Sequence, residues 1–393
     1  MNNDELQVLG TSHIQSRHNK WMLIGGAVAV LFIACLVGLW LGGKSSDIAN
    51  ASKRSTIQPE LQHAVDSMLN DQLKLIDGLQ GQAIVMDVKT GRILAMAGRE
   101  RTFDGQFQPC NNFAYQQEPG STMMIAAVMA MLETGKTKLN DEFDTQEGVW
   151  RISDDITMRD HNWRRGGYGM ITLEKALEVS SNIAVSKAIQ KTFKGNEQRY
   201  FELLENMSYG KPDSIDGIDN LRPMFFTSPK DSVWASDQLL YSSIGYERRL
   251  TPIQTLAFYN AIANDGKMVR PTLYAGTTEV INNQIASKKT INEIQHSLYN
   301  IVYQGLGKKA GSDLTSVAGK TGTASVGSII SGDNEIVEFH VSFCGYFPAT
   351  APKYSIIVSM NKYGLPASGG LMAGTVFHNI VEWMVNHRML PQK

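Results

Sequence analysis

Apolar positions recur along the chain with periods that mark out its elements. Leu61, Val65, Met68 and Leu73 share one face of a helix over Pro59–Leu73, with Pro59 early, where a helix tolerates it. Gln82–Val88 and Arg92–Ala97 read as strands, and Lys89-Thr90-Gly91 between them makes the pair a hairpin. Ser121–Leu132 is nearly all apolar, begins after Pro119-Gly120 and stops by Gly135. A helix apolar on every side is a buried one. Leu173–Ile189 reads as two short helices broken near Ser180, and Thr251–Ala263 as a helix with Pro252 in its first turn. Ile291–Val302 is amphipathic, Val317–Ser325, Glu338–Phe347 and Lys353–Met360 are β-rich, and Leu371–His387 closes the chain as a helix. This order predicts an α/β protein of the α+β type, with a mostly antiparallel central sheet covered by helices.

Ahead of that pattern, Trp21–Gly43 carries no charge and is long enough to cross a bilayer core of ~30 Å as a helix. Trp21 and Trp40 sit near its ends, where amphipathic rings favour the interface. The expected organisation is a tail over 1–20, a transmembrane anchor over 21–43, a linker over 44–56 and one continuous domain over 57–393. Ala49-Asn50-Ala51 offers a cleavage site, but the apolar run exceeds a signal-peptide core, so an uncleaved anchor is the preferred reading. Arg17 and Lys20 on one side face Lys44, Lys53 and Arg54 on the other, so charge bias does not decide the orientation.

Composition narrows the classes. Of the 393 residues, 42% are hydrophobic and 19% charged, the balance of a globular protein with a real core. A net charge of -1 gives none of the basic bias of a nucleic-acid binder. Cys35, Cys110 and Cys344 fit no metal or redox spacing, and no metal or cofactor is expected. Cys110 and Cys344 could pair in an oxidising compartment; two separate thiols is the preferred reading.

The candidate chemistry lies in three short segments: Glu118-Pro119-Gly120-Ser121-Thr122-Met123-Met124, Ser180-Ser181-Asn182 and Lys320-Thr321-Gly322-Thr323-Ala324. One class of serine acyl-transfer site is built from S-x-x-K, then S-x-N or S-D-N, then K-T-G. A serine hydroxyl needs a base within hydrogen-bond reach, and residues i and i+3 share a helix face, so the lysine of S-x-x-K meets the serine. The second and third segments match; the first has Met124 where that lysine belongs. Singly, each tripeptide is weak, and the chain holds decoys. Lys89-Thr90-Gly91 is the hairpin turn, Ser208-Tyr209-Gly210-Lys211 is a poor helix start, and Ser359-Met360-Asn361 ends a strand.

Longer stretches around the segments raise the signal. EPGSTMM, VSSNIAVSKAI, SIGYERRLTPIQTLAFYNAIANDGKMVRP, VAGKTGTA, GYFPATAPKYSIIV and the opening QGQAIVMDVKTGRILAMA resemble class B penicillin-binding proteins, from roughly Thr56 to His387. The resemblance implies the penicillin-binding transpeptidase, or serine β-lactamase-like, fold. It makes Ser121 the acyl-accepting nucleophile and Ser180 a proton relay to the leaving group. Asn182 would hold the substrate amide, and Lys320 would face the substrate carboxylate with Thr321 and Thr323 helping, Gly322 lying between them. The N–H groups of Ser121 and Thr323 would form an oxyanion hole. The implied ligands are peptidoglycan stem peptides ending in D-Ala-D-Ala, and β-lactams. Implied partners are glycan-polymerising and division or elongation proteins at a bacterial inner or cell membrane, with the main domain on the periplasmic or extracellular side.

Two features depart from that family. Class B members usually carry a large pedestal between anchor and domain, where this chain has a short linker. Met124 keeps the volume of a lysine stem and removes the basic nitrogen. The favoured expectation is therefore a member that binds stem peptides and β-lactams with weak or no transpeptidase activity. The alternative is an active D,D-transpeptidase or carboxypeptidase using another base. Lys320 is the candidate across the cleft; Asp160 and His161 lie in the loop before the second motif, and Lys136 and Lys138 lie past the helix end. A β-lactam sensor lacks a signalling domain, and nothing marks the base a β-lactamase needs. Met123, Met129 and Met131 read as core, and the pairs Arg164-Arg165 and Arg248-Arg249 as solvated. Trp163 and Tyr168 either line a cleft or pack.

Overall fold

A computed structural model describes residues 54–390, apart from 233, 236 and 332–333. The expected anchor at 21–43 lies outside them, and among the described residues no helix is long and apolar enough to cross a membrane. The chain is engaged from residue 55 on: Ser55 bridges Tyr274, and Thr56 Oγ1 donates to Ile93 O at 2.7 Å.

The helices are α1 (Pro59–Leu75), α2 (Met123–Glu133), α3 (Leu173–Glu178), α4 (Asn182–Phe193), α5 (Glu197–Asn206), α6 (Gln238–Ser243), α7 (Pro252–Ala263), α8 (Lys288–Tyr303) and α9 (Ala373–Asn386). The strands of the main sheet are β1 (Gly78–Asp87), β2 (Ile93–Arg101), β3 (Phe107–Pro109), β4 (Ala318–Ser331), β5 (Asn334–Phe347) and β6 (Tyr354–Tyr363). They form a six-stranded sheet in the order β4-β5-β6-β1-β2-β3, antiparallel at every pairing. The expected α+β architecture is present.

Side-chain alternation on the strands feeds two cores. Ala83 and Val85 join Val341, Phe343, Ile356 and Val358 on one face, where α1 contributes Leu61, Val65, Leu69 and Leu73 and α9 contributes Phe377, Ile380 and Met384. Ile84 and Met86 join Cys344, Tyr346 and Ile357 on the other, beneath α2, α4 and α7. Every residue from Met123 to Met131 is buried, so the methionines there are core, as expected. Cys344 is buried, Cys110 is half-buried, and both are free thiols.

Three expectations shift. The Ser121 helix opens with a 3₁₀ turn over Gly120–Thr122 before α2 begins at Met123. The β4–β5 hairpin runs well past Ser325 and Glu338, to Ser331 paired with Asn334. Its outer part lies beyond the cores, with both Ile329 and Ile330 exposed, so no buried face writes a period into the sequence there. Arg248 is not solvated: it is 1% exposed and stacks on rings of Tyr200, Phe201 and Phe226, residues remote in sequence. A two-residue strand pairing Phe226 with Arg248 brings them together, while Arg249 stays exposed.

Met129 has no exposed surface. Met129→Ala should cost about 2–5 kcal/mol in urea denaturation followed by tryptophan fluorescence.

Candidate active site

Ser121 sits in the turn where β4, the serine helix and the residues after α6 meet. Gly120 takes φ 55°, and a side chain there would begin 2.9 Å from Thr323 O. Gly245, at φ 94°, lets the chain pass so close that its own Cβ would stand 2.0 Å from Gly120 O. Only glycine suits both conditions at each position. Thr122 Oγ1 donates to Pro119 O at 2.8 Å, and Tyr259 of α7 donates its hydroxyl to Thr122 O at 2.9 Å. The turn is thereby fixed from below and from both sides. Ser121 itself is half-buried, and no described residue hydrogen-bonds to its hydroxyl.

Ser180 lies between α3 and α4 at φ 54°, a left-handed conformation that is uncommon for residues with a Cβ and clusters at functional sites. Its neighbours explain how it is held. Ser181 caps α4, accepting from Ala184 N at 3.1 Å, and donates to Asp160 Oδ2 at 2.7 Å. Asp160 Oδ1 accepts from Ile183 N at 3.1 Å. Burial raises the Asp160 pKa, opposed by these hydrogen bonds. Asp160 therefore anchors the start of α4. Asn182, half-buried, donates from Nδ2 to Arg159 O at 3.2 Å.

Lys320 of β4 closes the group. Its side chain has no exposed surface, and Nζ donates to Ser180 Oγ at 2.8 Å and to Thr321 O at 3.1 Å. Ser180 Oγ in turn donates to Met124 Sδ at 3.7 Å. A thioether is a weak acceptor, so the line Lys320, Ser180, Met124 ends on a poor partner. No carboxylate among the described residues pairs with Lys320, and burial alone pulls its pKa down to about 7.

The other predicted residues fall around this line. Thr321 and Gly322 are buried and Thr323 half-buried, its Oγ1 accepting from Gly369 N at 3.1 Å. β4 is an edge strand, so its free side has backbone groups with no partner strand in the sheet. His161 lies at the surface, and desolvation together with the charges of Arg165 and Lys320 lowers its pKa; its Nε2 and the Tyr168 hydroxyl lie 3.0 Å apart. Trp163 is exposed at the rim beneath Arg159 and Arg164. Lys136 and Lys138 are exposed past the end of α2. Tyr259, Gly245 and the anchoring part of Asp160 had no local signature: each acts through a partner remote in sequence. Of the decoys, Lys89-Thr90-Gly91 is the β1–β2 turn, tied by Thr90 N to Asp87 Oδ1 at 2.8 Å, and Ser359-Met360-Asn361 lies within β6.

Comparison with known proteins places the chain in a family. The family model of the penicillin binding protein transpeptidase domain matches residues 81–382. The chain is similar to stage V sporulation protein D of Bacillus subtilis, 26% identical over 322 residues that are 76% of this chain and 48% of that protein. It is also similar to the peptidoglycan D,D-transpeptidase FtsI of Escherichia coli, 24% identical over 332 residues, 82% of this chain and 53% of that protein. The chain spans about half the length of the curated relatives it matches. Among solved structures, penicillin binding protein 3 of Mycobacterium tuberculosis complexed with aztreonam superposes with a TM-score of 0.70 at 24% identity, covering 87% of this chain and 80% of that one. The apo transpeptidase domain of Burkholderia pseudomallei penicillin-binding protein 3 gives 0.71 at 22%, covering 86% and 97%. These likenesses show a common fold.

Removing the Asp160 carboxylate strands the Ser181 hydroxyl and the Ile183 N–H. Asp160→Ala should lower stability by about 1–3 kcal/mol per group left unpaired, read by thermal denaturation.

Proposed function

The chain belongs to the penicillin-binding protein transpeptidase family, and from that premise we propose that it binds D-Ala-D-Ala stem peptides and β-lactams in peptidoglycan synthesis, with weak or no transpeptidase activity of its own. The single observation that carries the reading is the hydrogen-bond line just described: the buried amine stands on Ser180, and the group one helical turn after Ser121 is a thioether.

The chemistry divides as follows. A stem peptide lies along the free edge of β4 as an added strand, its main chain supplying the partners that the edge lacks. Thr321 and Thr323 hydroxyls and the Lys320 charge take its terminal carboxylate, and Asn182 takes an amide. The N–H groups of Ser121 and Thr323 face the carbonyl to be attacked, where developing negative charge gains most. In a full transpeptidase cycle the serine hydroxyl adds to the carbonyl carbon of the penultimate D-Ala and passes its proton to a base. The terminal D-Ala then leaves with a proton, and an amine of a second stem accepts the acyl group. Here Met124 takes the place of the base lysine. Binding survives that change, because the groups that hold the peptide remain; proton removal from Ser121 does not. Residues 21–43 hold the chain to the bacterial inner or cell membrane with the domain on the periplasmic or extracellular side, beside glycan-polymerising and division or elongation partners.

A second reading is an active enzyme in which Lys320 receives the proton through Ser180. It is favoured by the 2.8 Å bond between them and by an amine whose pKa of about 7 leaves much of it uncharged at neutral pH.

A fluorescent penicillin separates the two. Wild type should label slowly or not at all, and Met124→Lys should label ~100- to 10,000-fold faster, the usual worth of a general base. Ser121→Ala should abolish labelling in both. Rapid stoichiometric labelling of wild type, lost in Ser121→Ala and in Lys320→Met, defeats the first reading in favour of the second.

A further inference from the structure

Away from Ser121, the segment that follows α6 carries a charge the site does not use. Arg248 is 1% exposed. Its Nε and Nη2 both donate to Ser242 Oγ, at 2.9 and 2.6 Å, and its guanidinium lies 5.4, 5.1 and 5.6 Å from the ring centres of Tyr200, Phe201 and Phe226. The ring faces offset part of the cost of burying a cation. No Asp or Glu among the described residues pairs with it, although buried charges are as a rule paired. The buried Tyr200 hydroxyl also interacts with the guanidinium, while the bonds to Ser242 use only Nε and Nη2.

This guanidinium lines a cavity of about 250 Å³ walled by Phe201, Leu204, Tyr209, Met224 and Phe226. Two further buried groups on the same wall lack partners: the Tyr209 hydroxyl and Gln198 Oε1. Buried polar atoms are nearly always satisfied, and two orphans beside an unpaired cation mark one place where a ligand would satisfy all three. The charges among the lining residues agree. Lys211 is tied to Asp213, which leaves Lys230 and Arg248 against Glu205.

We propose that this cavity binds a small organic carboxylate with an apolar body. The carboxylate accepts from Arg248 Nη1 and from the Tyr209 hydroxyl, since a guanidinium presents its donors in a plane that matches a carboxylate. The body packs against Phe201, Leu204 and Met224, and a hydroxyl on its far end would donate to Gln198 Oε1. Inorganic phosphate could use the same cation but gains nothing from the apolar walls. The cavity shares no lining residue with the Ser121 site, so the proposal stands apart from the reading of that site.

The test is calorimetric titration of the full chain in lipid nanodiscs, in the Ser121→Ala background so that the serine site takes no covalent part. Phenylacetate should bind saturably at one site. Phenylacetamide and inorganic phosphate should bind at least tenfold more weakly, and Arg248→Met should abolish binding. Tyr209→Phe should weaken it about tenfold, the worth of a hydrogen bond to a charged group. Absence of saturable phenylacetate binding, equal affinity for phenylacetamide, or unchanged affinity in Tyr209→Phe overturns the proposal. Should Arg248→Met fail to fold, the amide comparison and Tyr209→Phe decide the case.

Discussion

A lysine amine buried without a counter-ion is the constraint around which this site is arranged. Lys320 reaches its place because β4 is pinned against β5 with Lys320 opposite Cys344. Once there, the ammonium has one side-chain partner, Ser180, and one carbonyl, that of its own neighbour Thr321. Hydrogen bonds to neutral groups do not replace the water lost on burial, so the uncharged form gains. Ser180 must adopt a left-handed backbone to meet it, and that strain persists because Ser181 and Asp160 lock the next turn. The same geometry puts the amine on Ser180 rather than on Ser121 among the described residues.

The rest of the fold serves this arrangement by fixing backbones. Two glycines let the Ser121 turn touch both β4 and the segment after α6, and Tyr259 ties it to α7. α2 is buried on every side, so the turn that precedes it cannot shift without moving the core. A site placed on such rigid elements holds its backbone geometry whatever side chain stands at Met124.

Much of this was legible in the residues. Strand and helix periods located α1, the β1–β2 hairpin, α2, α7 and α9, because each presents a face or a whole surface to a core. Order and context, more than any tripeptide, set Ser121, Ser180, Asn182 and Lys320 apart as candidates, and the fold brings Ser180 and Lys320 into contact. The outer β4–β5 hairpin was not legible, since neither face is buried and no period marks it. Arg248 was misread as solvated because the aromatic rings that cover it come from α5 and from a two-residue strand. Asp160 was seen only as a titratable loop residue; its bonds to Ser181 and Ile183 exist only once α4 is in place. Contacts between segments remote in sequence leave little trace in either segment alone.

The most direct measurement of the central claim is a titration of the Lys320 side chain itself. Lysine labelled with ¹³C at Cε would be followed by NMR across pH, with the resonance assigned by its loss in Lys320→Met. The account predicts a midpoint at about 7. A midpoint near the ordinary lysine value of ~10.4 would contradict it, since the amine would then be solvated or paired with a charge rather than held on Ser180.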